Sequence, residues 1–163
     1  MQNKLKKNKG VTLVALAITI VVLLIIAGIS IYAGKDTIKR ANLESLRTNM
    51  LLIEAKAKEY VEEANFKIGK TTDNVKKEEI RKQVYEVGAK LEKAAGITAD
   101  TSIPVAQCYK VTEATMNEWG LKDIETHNNE YYLIKFDDAN ATVEIYNTKG
   151  YDGRYSLTDI DNM

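Results

Sequence analysis

Hydrophobic and polar positions along this chain follow three different rhythms. Residues 10–34 read GVTLVALAITIVVLLIIAGISIYAG, carry no charge, and are closed by Lys9 and Lys35. As a helix this run extends about 37 Å at about 1.5 Å per residue. The hydrocarbon core of a bilayer takes roughly 20 residues, so the run predicts a membrane-spanning helix over 11–34. From 35 to 66 the pattern changes. Leu43, Leu46, Met50, Ile53, Ala57, Tyr60 and Ala64 recur at spacings of three and four, one apolar stripe on an otherwise charged surface. This predicts an amphipathic continuation of the same helix, with Glu54 and Lys58 as an i,i+4 pair.

Residues 69–74 form a polar break. Asp73 or Asn74 then caps a second helix over about 75–95, striped by Ile80, Val84, Val87 and Leu91 and stopped by Gly96. Past Pro104 the period drops to two. Residues 105–111 alternate as a strand, with Val105, Tyr109 and Val111 on one side. Thr112 caps a short helix ending at Trp119, with Gly120 as its stop. Tyr132, Ile134 and Phe136 alternate in a strand over 130–136, residues 137–140 turn, and residues 142–146 return. The result is a C-terminal hairpin at about 130–147. Residues 150–157 add an edge strand before an acidic end. The fold class expected is α+β: a long N-terminal helix packed against a small antiparallel sheet, with residues 67–163 as the globular part.

Charge refines this picture at the N-terminus. Residues 1–10 hold Lys4, Lys6, Lys7 and Lys9 and no acid. A basic flank before an apolar run stays in the cytoplasm, which places the rest of the chain outside. An ordinary secretory signal has a shorter apolar core and small residues after it. Here the small residue, Gly10, comes before the run. Lys and Arg balance Asp and Glu at 23 each. Without the leader the remainder is acidic, which argues against nucleic acid as a partner.

The stretch Lys9-Gly10-Val11-Thr12-Leu13-Val14-Ala15-Leu16 resembles the leader junction of type IV pilins and type II secretion pseudopilins, where glycine is followed by Phe-Thr-Leu-Ile-Glu. The resemblance implies that a prepilin peptidase cuts between Gly10 and Val11 and that Val11 becomes an N-methylated terminus. It implies residues 1–10 as leader, residues 11–34 as transmembrane and filament-core helix, and a pilin-like fold. Its implied partners are prepilin peptidase, other pilin subunits, an assembly platform protein and the lipid bilayer. The implied location is the cytoplasmic membrane, single-pass, then a cell-surface filament. The family's glutamate, which neutralises a neighbouring subunit's terminal amine, falls on Ala15. That departure favours a minor pilin or pseudopilin over a major subunit. The C-terminal half is similar to pilin-like proteins of Gram-positive bacteria, which close with a tyrosine-rich hairpin and a turn like Asn147-Thr148-Lys149-Gly150.

No enzyme is expected. The chain has no phosphate loop, no His/Cys metal spacing and no serine nucleophile elbow. Cys108 is the only cysteine and His127 the only histidine. One cysteine excludes an internal disulfide, and a strand position makes Cys108 a small buried hydrophobe. Asp137, Asp138, Asp152, Asp159 and Asp161 offer oxygens of the kind calcium takes, without EF-hand spacing; no cofactor is expected. The tyrosines at 131, 132, 146, 151 and 155 are divided between core and surface by strand alternation. Lys76, Lys77, Arg81 and Lys82 read as a solvated basic face. Two function classes remain: a structural subunit of a pilus-like or pseudopilus filament, and a single-pass anchored protein displaying an extracellular binding domain without polymerising.

Overall fold

A computed structural model of the chain describes residues 8–163 other than 125, 127 and 128, with side chains described at 15–26 and from 35 onward. Among the described residues there are four helices: α1 Asn8–Ile68, α2 Asn74–Lys82, α3 Glu113–Glu118 and α4 Leu157–Asp161. Five strands accompany them: β1 Glu92–Lys93, β2 Cys108–Val111, β3 Tyr132–Asp137, β4 Thr142–Tyr151 and β5 Arg154–Ser156. The strands form one sheet in the order β1-β2-β3-β4-β5, antiparallel throughout. The fold is thus α+β, with a long helix and a five-stranded antiparallel sheet. The chain divides into two compact units, Met1–Leu43 and Glu44–Met163.

In the second unit, α1 buries Met50, Ile53, Ala57, Val61, Ala64 and Ile68. Their spacings of three and four keep one face inward. Each large apolar side chain so buried contributes about 1.5–3 kcal/mol. Pairing of Tyr109 with Ile134 and of Val111 with Tyr132 puts these four on one side of the sheet. That side meets α1, since Asn49 Nδ2 donates to the Tyr132 hydroxyl at 3.4 Å. Cys108, Leu133 and Tyr146 occupy the other side with Ala94 and Ile103. Tyr60 is only half-buried; it stacks on Trp119 with centroids 5.6 Å apart, while Val61 fills the core position.

Several expectations are corrected. The second helix does not run to 95. It ends at Lys82 and passes into a π-helical turn, Gln83–Gly88. The extra residue in that turn rotates the chain beyond it. Tyr85 is brought inward, its ring 3.9 Å from that of Phe136 and nearly parallel to it. Val87 is left 70% exposed. The stop is not Gly96 but the turn around Lys90, whose φ is +55°. Residues 105–111 are not all strand, because Val105–Gln107 form a 3-10 turn. The return strand does not close at 146. Asn147 Oδ1 accepts from the amides of Lys149 and Gly150, so the expected turn becomes a bulge within β4. Gly150 has φ +62°, and a Cβ there would strike the Arg154 carbonyl and the Tyr155 ring. The acidic end forms α4, capped by the Ser156 hydroxyl on the Asp159 amide. Apart from these corrections, among the described residues no helix is long and apolar enough to cross a membrane. The apolar stretch with described side chains covers 15–26 only, and the flanking parts of the expected span at 11–14 and 27–34 lie outside it.

Candidate functional site

The residues expected at the processing site fall at the start of α1. Lys9, Gly10 and Val11 lie in its first turns, with their side chains outside the described residues; Lys4, Lys6 and Lys7 lie outside altogether. Ala15 is the first described side chain of the helix and is exposed. From there to residue 26 every position is exposed. Nothing polar is offered except Thr19, whose hydroxyl donates to the Leu16 carbonyl at 2.8 Å. The one polar side chain in the stretch is thereby satisfied by its own helix and does not depend on water. Leu16, Ile18, Val21, Leu24 and Ile25 point in different directions around the axis at 100° per residue. Their exposure, 67% at Leu24 and 54% at Val21, therefore makes the helix apolar on all sides.

The candidate chemical residues of the second unit do not converge. Cys108 is fully buried, its thiol 3.3 Å from the Pro104 carbonyl. Burial pushes that thiol up to about 11, so it is protonated at neutral pH and no thiolate nucleophile. His127 lies outside the described residues. Asp137 accepts from the amides of Ala139 and Asn140 and from Asn140 Nδ2, and these bonds hold its carboxyl below the usual range. Asp138 takes the Tyr85 hydroxyl at 3.1 Å and faces Arg81 at 3.2 Å. Asp161 pairs with Arg47 at 2.6 Å. Asp159 receives the Ser156 cap through its amide, and Asp152 is exposed at a φ of +51°. Three of the five acids are thus committed to separate local partners. Among the described residues no three His, Cys, Asp or Glu side chains group as metal ligands.

The tyrosines are divided by the pleat. Tyr132 and Tyr146 are buried, whereas Tyr131, Tyr151 and Tyr155 are half-buried. The expected basic face on α2 is also divided: Arg81 is drawn to Asp138 of the hairpin turn, Lys77 is half-buried, and Lys76 and Lys82 remain exposed. A cluster not read from the sequence unites Tyr85, Tyr109, Phe136 and Lys93, whose ammonium stands 3.7 Å over the Tyr109 ring. It joins the π-helical turn to β1, β2 and β3. Its signal was Tyr85 beside Val84, but only the π-helical turn makes both inward.

These buried groups fix how the domain responds to alkali. Burial raises Cys108 above its ordinary 9.0, and burial with Glu144 raises Tyr146. Burial, followed by Asp138, raises Tyr85. A raised acid favours the folded state while neutral, so its contribution is complete below the unfolded value and lost as pH climbs through the folded one. Thermal unfolding is therefore expected to keep its midpoint between pH 6 and roughly 8.5, then to fall steadily above roughly pH 9. A midpoint rising between pH 9 and 11 would contradict this assignment of buried neutral groups.

No protein-family model, curated protein or solved structure matches the chain.

Proposed function

We propose that this chain is a structural pilin-like subunit, a minor pilin or pseudopilin, held in the cytoplasmic membrane by residues 11–34 before assembly into a pilus-like or secretion filament. The observation that carries this reading is the surface of α1 over 15–26. It is apolar in every direction and exposed in every direction. A helix of that kind is stable in lipid or inside a bundle of other helices, not in water. A pilin-like subunit uses both settings in turn: lipid before assembly and neighbouring helices after it. The satisfied hydroxyl of Thr19 suits either. The basic leader and Gly10 supply a processing junction that a plain anchor does not need. In this role the second unit is a display and packing body, whose polar groups hold the sheet and its turns together.

A second reading has its own observation. Ala15 leaves α1 without the acid that the family uses in assembly, which favours an anchored binding domain that does not polymerise. Processing separates the two. In cells with an active prepilin peptidase, protein extracted from membranes is expected to lack residues 1–10, as measured by intact mass, and Gly10→Leu is expected to block that loss. A chain that keeps Met1 to Gly10 in such cells leaves the plain anchor.

A further inference from the structure

We propose that Lys35 and Lys39 hold the headgroup of an anionic phospholipid in the leaflet on the exported side of the membrane. This rests on the membrane reading of residues 11–34. Val11 and Lys35 are separated by about 36 Å of helix at about 1.5 Å per residue, against a hydrocarbon core of about 30 Å. With Val11 at the cytoplasmic boundary, Lys35 is the first charge to emerge on the far side, at the depth of the headgroup phosphates.

Residues 35–42 of α1 are all exposed. Among the described residues, neither Lys35 nor Lys39 has an ion-pair partner. Standing at i and i+4, the two lysines share one side of the helix, where like charges repel. An anion between them removes that repulsion. Asp36, three residues before Lys39 and four before Arg40, borders this side of the helix but forms an ion pair with neither among the described residues. The lysine stems extend along the helix and keep their ammonium groups in the headgroup layer. Two point charges on one side of the helix at that depth match the charge of a phosphate. The net charge of the lipid is what the site reads, since a zwitterionic headgroup carries its own cation.

The full chain in nanodiscs of phosphatidylglycerol and phosphatidylcholine in equal proportion, released for native mass spectrometry, tests this. The wild type is expected to retain phosphatidylglycerol in preference to phosphatidylcholine. Lys35→Gln with Lys39→Gln is expected to cut the retained phosphatidylglycerol about tenfold, and Lys6→Gln with Lys7→Gln to leave most of it. Equal retention of both lipids by the wild type overturns the proposal. So does a loss that follows the leader variant and not the Lys35/Lys39 variant, because the headgroup then lies in the cytoplasmic leaflet. Failure of the underlying membrane reading shows separately, as release of the chain from vesicles by alkaline carbonate.

Discussion

Replacing Ile53 by alanine is expected to destabilise the second unit by about 2–5 kcal/mol, whereas replacing its neighbour Leu52 changes stability by less than about 0.5 kcal/mol. The two residues are adjacent, apolar and nearly equal in volume. They differ in direction: Ile53 is fully buried, and Leu52 is 44% exposed on the far side of α1. Truncating Ile53 opens a cavity between Met50 and Ala57, both also fully buried. A rigid helix against a sheet closes such a cavity only in part, so the lost packing adds to the lost transfer energy. For a domain of total stability about 5–15 kcal/mol this is a large share. Thermal unfolding of the full chain in detergent, followed by loss of the circular dichroism of Trp119 and the tyrosines, measures both variants. Similar losses from Leu52→Ala and Ile53→Ala would mean that the outer face of α1 is also packed, as in a helical seam between two chains.

That pair also shows how far the sequence could be read. Met50, Ile53, Ala57 and Ala64 were legible because a helix repeats at 3.6 and each spacing of three or four stays within one face. Tyr60 was misplaced because the true phase puts Val61 inward, and a tyrosine with an aromatic neighbour is content at the rim. The hairpin was legible since both strands alternate and Asp137 to Asn140 carry turn chemistry. The π-helical turn was not. Nothing local distinguishes 83–88 from ordinary helix, and what holds the turn is the stack of Tyr85 on Phe136, a residue far along the chain. A strand as short as β1 has no period to read. The α4 helix did have a signal, Ser156 three residues before Asp159, which is a capping pattern hidden inside what reads as a strand. The candidate site differs in kind. Its apolar character is plain in the sequence, but the lipid or neighbouring subunits that the proposed function gives it as partners lie outside the chain, and no pattern within one chain describes how they meet it.

Ala15→Glu is expected to raise the share of this protein found in filaments by about tenfold or more. Cleavage after Gly10 would leave an ammonium on Val11. Around it α1 offers no carboxylate, since residues 10–34 hold none. On the proposed function, that amine stays at the cytoplasmic boundary of the membrane before assembly, in reach of water. In a filament it passes into an apolar bundle, where an uncompensated charge costs several kcal/mol even after relaxation. The hydroxyl of Thr19, four residues on from Ala15, is already donated to the Leu16 carbonyl and leaves only a neutral acceptor. A glutamate at 15 sits on the exposed surface of the helix and can meet the amine of an adjacent subunit, turning an isolated charge into a pair. Its cost in the lipid-held state is small near the boundary, where the carboxylate reaches the interface or takes a proton. The balance therefore shifts toward assembly. The measurement is the ratio of the protein in sheared filaments to that in membranes, for wild type and variant, with Ala15→Gln as the uncharged control. An increase in Ala15→Glu that Ala15→Gln lacks assigns the effect to charge. Abundant homopolymer from the wild type, with no gain in the variant, would sink the argument, because the amine would then be accommodated without a carboxylate in the span.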